Sequence, residues 1–402
     1  MNKAAPVYVT GIGCISAAGL TVEENLVTLD EGRRDPMPPV LFSAERQMPV
    51  FMCALPETDT GFSALPSQMP PKGISRTMNL VLRATMEALQ TAGLTYEELT
   101  NLCVGVCIGT SVGTSFDLFD YYKSYREGRQ EPSDTIHTYL NSNPALALTH
   151  FLSLRGPMQT IANACTSGTD AIGIAAEWIR RGLCDIVICG GCDALAKVVY
   201  YGFSSLQLLS PEPCRPFDKN RKGLNLGEGA GIMVLETEAR SRRKPIIGRI
   251  RGYGTATDAY HLTAPHPEAR GLKKALEHAL VQADAAISDI AFINAHGTAT
   301  LTNDAVESQF FRTMLPQTPF VATKGCTGHT LGAAGAVEAV FTLAHLNRKR
   351  IPASPGFRES DPDAGTSPVS APTGVSNSLA MSQSLAFGGN NSILLMDTGA
   401  PV

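Results

Sequence analysis

Asn163-Ala164-Cys165-Thr166-Ser167-Gly168 stands between an extended approach and a helix-like run from Thr169 to Arg181. Backbone N–H groups at a helix start favour an anion, so a thiol placed there can be a nucleophile whose pKa is pulled below its free value of about 8.5. The competing reading is an ordinary core thiol. The chain has 10 cysteines, and a free cysteine commonly behaves as a small buried hydrophobe. What decides between the two is what the rest of the chain brings to Cys165.

Outward from this stretch, short apolar runs rich in β-formers alternate with longer helical patterns, the rhythm of an α/β protein with helix-covered sheets. The first part predicts strands at Val7–Val9, Cys103–Ile108, Asp185–Ile188 and Gly231–Leu235, and helices near Ser75–Ala92, Asn143–Phe151 and Thr169–Arg181. Gly93 and Gly182 then act as helix stops. After Lys244-Pro245 the alternation begins again, with strands at Ile246–Gly252, Ile290–Asn294, Phe320–Thr323, Ser384–Phe387 and Ile393–Met396. Helices are expected over Glu268–Ala283, Asp304–Phe311 and Ala333–Asn347. Two similar rounds suggest a duplicated architecture divided near Ile250, as 1–250 and 251–402, although no repeat of individual residues stands out. Pro36–Gly73 and Pro352–Gly374 read as long loops.

Composition narrows the function. A chain of 402 residues with 44% hydrophobic and 17% charged residues can bury a large core. A net charge of −4 gives no general attraction for nucleic acid or an anionic membrane. No apolar run reaches the roughly 18 residues of a spanning helix, and Met1 to Ile15 does not read as a secretory signal. The expectation is a cytoplasmic protein. Cys189-Gly190-Gly191-Cys192 has the spacing of a redox or zinc motif, but no second such pair or nearby histidine completes it. It reads as the tip of a buried strand, and no metal is expected. Gly11-Ile12-Gly13 lacks the third glycine of a dinucleotide fingerprint.

Three polar clusters follow Cys165. In Asn294-Ala295-His296-Gly297-Thr298-Ala299-Thr300, a strand gives way to a glycine turn that can project His296 into a cleft. In Lys324-Gly325-Cys326-Thr327-Gly328-His329, glycines permit close backbone approach while Lys324 and His329 supply a charge and a donor. The order of a phosphate-binding loop is absent there. In Ala386-Phe387-Gly388-Gly389-Asn390-Asn391, glycines beside an aromatic ring let backbone N–H groups face a ligand.

A cysteine, two histidines, a lysine and a Phe-Gly-Gly turn, in this order, resemble the β-ketoacyl-acyl-carrier-protein synthases of the elongating class. The resemblance runs from Val9-Thr10-Gly11-Ile12-Gly13 through Arg215-Pro216-Phe217-Asp218 and Gly227-Glu228-Gly229-Ala230-Gly231 to Phe387-Gly388-Gly389. It implies an α/β thiolase fold, with duplicated halves stacked in an α-β-α-β-α arrangement. It also implies decarboxylative Claisen condensation of an enzyme-bound acyl group with malonyl on acyl carrier protein, extending a fatty-acid or polyketide chain by two carbons.

Matched motif to motif, the resemblance makes Cys165 the acyl acceptor and the N–H groups of Cys165 and Phe387 the oxyanion donors. His296 and His329 would donate to the malonyl thioester carbonyl. Lys324 would orient the network against Glu338, with Asp304 and Glu307 supporting the first histidine. Thr298 and Thr300 match the threonines that hold the pantetheine arm, and Val112 matches a residue lining the acyl pocket. Phe387 matches the gate, with Gly388 and Gly389 giving it freedom to move. No tightly bound cofactor is implied, because phosphopantetheine arrives on the carrier.

The implied partners are acyl carrier protein and either a second copy or a chain-length-factor-like subunit. An acidic carrier calls for a basic rim, for which Lys72, Arg76, Lys123, Arg126 and Arg129 are candidates. Leu224 and Leu385 stand where aromatic residues are frequent in fatty-acid synthases, and Asn390 where threonine is common. These departures favour a specialised polyketide or aryl polyene ketosynthase as the alternative. A non-catalytic chain-length factor typically lacks the nucleophile, and a thiolase arranges cysteine and histidine differently.

Overall fold

The computed structural model describes residues 5–55, 75–113, 118–129, 136, 139–140, 142–242, 244–376 and 378–399. The elements of the first half are β1 (Val7–Ser16), α1 (Val22–Glu31), α2 (Arg76–Thr91), α3 (Tyr96–Asn101), β2 (Val104–Gly109), α4 (Phe119–Arg126), α5 (Pro144–Phe151), β3 (Met158–Ile161), α6 (Ser167–Arg180), β4 (Ile186–Asp193), α7 (Lys197–Ser205), β5 (Gly229–Thr237) and α8 (Glu238–Ser241). The second half has β6 (Gly248–Thr257), α9 (Arg270–Ala283), β7 (Ile290–Asn294), α10 (Leu301–Met314), β8 (Phe320–Val321), α11 (Lys324–Thr327), α12 (Ala334–Asn347), β9 (Arg350–Ile351), β10 (Thr373–Gly374), β11 (Leu379–Leu385) and β12 (Asn390–Asp397).

The main sheet runs β3-β2-β4-β5-β1-β6-β12-β11-β7-β8. Its first five strands and its last five repeat one plan. The opening strand of each half is antiparallel to the closing one (β1 to β5, β6 to β12). The closing strand is antiparallel to the next (β5 to β4, β12 to β11), and the remaining pairs are parallel. The halves join edge to edge, Val7 to Val9 pairing with Ile250 to Gly248, so a single ten-stranded sheet wraps the molecule. Ile250, the expected division point, lies inside β6.

Three hydrophobic cores separate the layers. Leu80, Val81 and Ala84 of α2 and Leu148 of α5 cover the outer face of the first half, against Val104, Ile188 and Ile232. Leu272 and Leu276 of α9 and Phe310 of α10 cover that of the second, against Ile293 and Leu395. Between them, Ile172 and Ile179 of α6 and Val337 and Phe341 of α12 pack against strands of both halves, from Val187 and Leu235 to Leu394 and Met396. This is the five-layered α-β-α-β-α arrangement.

A residue-level repeat does exist, and packing makes it visible. A Cβ added at Gly11 or Gly13 of β1 would lie 2.1 or 2.0 Å from the Ala88 or Ala84 carbonyl oxygen of α2. At Gly252 and Gly254 of β6 it would lie 2.1 and 1.9 Å from those of Ala279 and Ala275 in α9. Gly-x-Gly on the opening strand therefore serves helix contact in each half, which explains the incomplete dinucleotide motif. Gly13→Ala and Gly254→Ala should each destabilise the fold by roughly 1–3 kcal/mol or more through overpacking. Gly202→Ala, where nothing lies within 4 Å, should be neutral; urea denaturation midpoints check the contrast.

The central helices repeat as well. α6 and α12 each have 14 residues, and each follows a 3₁₀ turn, Ala164–Thr166 or Leu331–Ala333. Each turn opens on a residue with positive φ, 47° at Ala164 and 55° at Leu331. By this correspondence Gly332 is the counterpart of Cys165. A Cβ at Gly332 would lie 2.4 Å from the Ser111 nitrogen, so the second half has no room for a nucleophile there. Among the described residues no helix is long and apolar enough to cross a membrane.

Candidate active site

Cys165 sits in the 3₁₀ turn at the head of α6, and its own neighbours hold that turn in shape. The Ser167 hydroxyl donates to the Ala164 carbonyl at 2.6 Å and accepts from the Asn163 N–H at 2.8 Å. The Thr166 hydroxyl lies 2.9 Å from both the Asn163 carbonyl and Asp170 Oδ2, which share its single proton. These bonds sustain the left-handed backbone at Ala164, which a non-glycine residue otherwise disfavours. Cys165 is only 6% exposed. Burial pushes its thiol up to about 12, opposed by the Lys324 charge and by the nearby Phe387 N–H. The expectation of a depressed pKa is thereby corrected: loss of water around the sulfur outweighs what the turn and Lys324 return.

His296 follows β7 in a turn moulded around a buried carboxylate. Glu307 of α10 accepts from the N–H groups of His296 (2.8 Å) and Gly297 (2.7 Å) and from the amides of Asn303 (2.6 Å) and Gln383 (2.6 Å). Four donors fill the acceptor sites of one carboxylate, although burial and nearby Asp304 raise its pKa to about 7. Asp304 accepts from the Phe217 N–H at 2.7 Å and the Ala299 N–H at 3.1 Å, fixing the far side of the turn. Gly297 is required there, with φ of 45°.

Lys324 lies behind His296 and is 1% exposed. Its ammonium donates to the Glu338 carboxylate, to the His296 carbonyl at 2.6 Å and toward His296 Nδ1 at 3.2 Å. Three protons meet three acceptors. Burial raises Glu338 to about 7, with Lys324 pulling the other way. His329 presents its Nδ1 to the Leu331 N–H at 3.2 Å. Burial first, and then the Lys324 charge, hold both imidazoles well below the usual histidine range. A neutral ring whose Nδ1 accepts carries its proton on Nε2, so both histidines are Nε2–H donors. Their rings meet edge to face with centroids 5.1 Å apart.

A cavity of about 350 Å³ gathers Cys165, His296, His329, Phe387, Thr298 and Thr300 on one wall system. The hydroxyls of Thr298 and Thr300 lie 2.9 Å apart. Leu224 and Leu385 also line it. Phe387 stacks on Phe203 at 5.5 Å with the rings 20° from parallel. Gly388 and Gly389 take φ of 89° and 81°, and the Gly388 N–H donates to the Leu262 carbonyl at 2.8 Å.

Several expected residues lie elsewhere. Lys324, Glu338, Asp304 and Glu307 are buried behind the cavity wall, as supports. Val112 stands one layer behind this cavity: its N–H donates to Asp193 at 3.0 Å, and its side chain belongs to the cluster that holds cavity-lining Leu224, with Phe203 packed against it. Arg76 is no free docking charge, because its guanidinium grips buried Glu228 and the Cys53 carbonyl. Lys123, Arg126 and Arg129 are exposed and are not part of the cavity lining, and Lys72 lies outside the described residues. Cys189 and Cys192 are buried in β4 as free thiols. Among the described residues no group of three or more His, Cys, Asp or Glu could hold a metal.

Sequence reasoning missed Phe203, Gln383 and Asp193. Asp193 accepts from Thr110, from the Ser111 and Val112 N–H groups and from the Gly332 N–H at 2.7 Å, tying the two halves together beside the site. A lone aspartate ending a buried apolar strand was the one available signal.

Comparison with known proteins agrees with this geometry. The family description "Beta-ketoacyl synthase, N-terminal domain" matches residues 4–241, and "Beta-ketoacyl synthase, C-terminal domain" matches residues 247–358. The chain is 32% identical over 404 residues to a 3-oxoacyl-[acyl-carrier-protein] synthase 2 from Synechocystis, covering 96% of each. It is 31% identical to nodulation protein E of Rhizobium leguminosarum bv. trifolii, covering 96% of this chain and 98% of that one. Among solved structures, the ishigamide ketosynthase/chain length factor superposes with a TM-score of 0.90 at 30% identity, over 99% of this chain and 100% of the other. The chain therefore belongs to the β-ketoacyl synthase family of acyltransferases, with the thiolase fold.

Proposed function

We propose that the chain condenses an acyl group held on Cys165 with malonyl delivered by acyl carrier protein. The observation that carries this reading is the pair of neutral Nε2–H donors, His296 and His329, in the cavity that holds Cys165. In the transfer step the Cys165 sulfur attacks the carrier's thioester carbonyl, and the phosphopantetheine thiol leaves with the proton. Phe387 and Cys165 N–H groups stabilise the oxyanion. In condensation the malonyl carbon–carboxylate bond breaks, carbon dioxide departs, and the electron pair moves into an enolate whose oxygen accepts from the two histidines. The enolate carbon then attacks the Cys165 thioester, and collapse of the adduct returns the sulfur to Cys165. Lys324, Glu338, Asp304 and Glu307 hold the histidines in this tautomer, and Thr298 and Thr300 bind the pantetheine arm.

The alternative, a ketosynthase of a specialised polyketide or aryl polyene system, is favoured by Leu224 and Leu385 on the cavity wall. Aliphatic side chains in place of rings leave room for a rigid conjugated chain. The partner is then a chain-length-factor-like subunit rather than a second copy. Either would pair along β3, which among the described residues is an edge strand bonded to β2 and carries Met158, 48% exposed. The halves are divided just before Gly248, where β6 begins. Ten unpaired cysteines suit a cytoplasmic location. Intact-mass detection of acyl-enzyme across carrier-bound saturated, polyunsaturated and aryl chains, with and without a candidate partner, tests the reading. Loading of saturated chains by the chain alone supports fatty-acid elongation. Selective, partner-dependent loading of conjugated chains supports the alternative, and no loading of any chain contradicts both.

A further inference from the structure

The gate turn and the nucleophile turn are tied by a chain of side-chain hydrogen bonds that the reaction itself does not use. Asn390, directly after Phe387-Gly388-Gly389, donates its Nδ2 to Asn163 Oδ1 at 2.6 Å. Asn163, two residues before Cys165, donates its own Nδ2 to Asp170 Oδ2 at 2.6 Å. Thr257 Oγ1 donates to Asn390 Oδ1 at 2.7 Å. The direction of every link is fixed from the buried end. Asp170 also accepts from Thr166 and from Tyr253, both at 2.9 Å, and from Ser392. Its carboxylate, surrounded by donors, requires the amide nitrogen of Asn163 on its side. Asn163 must then turn its oxygen to Asn390, which must answer with nitrogen and take the threonine proton on its oxygen.

We infer that Asn163 and Asn390 form a clasp that holds the Phe387 turn closed over Cys165, and that they are positioning residues for the acyl-transfer geometry. In the clasped state Phe387 and Cys165 line the same cavity, so the turn that carries the oxyanion donor and the turn that carries the nucleophile are joined by one bond chain. Swinging the turn away to expose Cys165 breaks the Asn390 to Asn163 link and the Gly388 to Leu262 link together. The clasp therefore sets how often the nucleophile is uncovered. This gating role rests on the condensing reading above, whereas the clasp itself is a property of the resting chain.

The test is the iodoacetamide alkylation rate of Cys165 in the full chain, read peptide by peptide, with fully buried Cys107, Cys189 and Cys192 as internal references. Asn390→Asp preserves shape but sets oxygen against oxygen, so Cys165 alkylation should rise about tenfold, the effect of losing and opposing one partly buried bond. Asn390→Ala should give a smaller rise, and neither should change the three reference cysteines. If Asn390→Asp fails to fold, Asn390→Ala and Asn163→Ala carry the same readout. An unchanged Cys165 rate, or equal acceleration of all four cysteines, overturns the clasp. Acyl loading measured alongside separates the two claims: a wild-type chain that never loads acyl while the Asp variant uncovers Cys165 upholds the clasp and defeats the condensing reading.

Discussion

Cys165→Ala should leave no detectable acyl-enzyme after incubation with acyl-carrier protein, and condensation should fall to background. The step being removed is covalent, and no other thiol can take it over. The remaining nine of the 10 cysteines lie outside the cavity lining, most of them buried in the cores, and the counterpart position in the second half is Gly332 with no space for a side chain. Alanine is close to cysteine in volume, so the turn that Thr166 and Ser167 hold should survive and the fold with it. Intact mass with an unchanged unfolding midpoint is the check. A mass increment on the variant, mapped to a cavity residue, would assign the nucleophile elsewhere.

His329→Ala should lower condensation by about 10²–10³-fold, the scale of one preorganised donor to a developing oxyanion, while acyl transfer to Cys165 falls only a few-fold. The separation follows from geometry. The donors for the Cys165 carbonyl are backbone N–H groups, so the histidines are free to act on the second substrate. His296→Ala should behave similarly but cost more stability, because its carbonyl and Nδ1 are two of the three acceptors of buried Lys324. Losing the ring acceptor leaves an ammonium proton buried without a partner. Single-turnover loading, followed by condensation of pre-formed acyl-enzyme, measures the two half-reactions separately. Equal loss in both would mean that the histidine serves the fold alone.

The cavity-facing part of the site was legible because each of its residues sits where an apolar run meets glycine, a pattern that survives in one dimension. Cys165, His296, His329 and Phe387 were found this way and share one cavity. Their supports were harder to read. Asp193 acts across the halves, and nothing local marks Gln383 as a strand residue that reaches a carboxylate 76 positions away. The same limit shortened the first strand to Val7–Val9. β1 continues to Ser16 through glycines that look like strand breakers until α2 is laid against them. β3 was missed because an edge strand with partly exposed residues shows no buried apolar run. Val112 was placed by resemblance alone, and its side chain belongs to the cluster that also holds cavity-lining Leu224.

The chemistry of Cys165 diverged from the sequence reading for a related reason. A helix start signals electropositive character locally, but the burial that opposes it comes from strands and loops distant in the chain. The thiol raised to about 12 fits a nucleophile that reacts when a thioester displaces the gate and hands its leaving thiolate a proton in exchange. A closed, protonated cysteine is also protected from adventitious oxidation.

The most direct test of the account is a single turnover of isolated acyl-enzyme with malonyl-acyl carrier protein, followed by intact mass of both proteins and by release of labelled carbon dioxide. The predicted result is return of Cys165 to its free mass, one carbon dioxide per acyl group consumed, and a carrier bearing the β-ketoacyl chain two carbons longer. Acyl-enzyme that persists, or that loses its acyl group as free acid with no new carbon–carbon bond on the carrier, would contradict it.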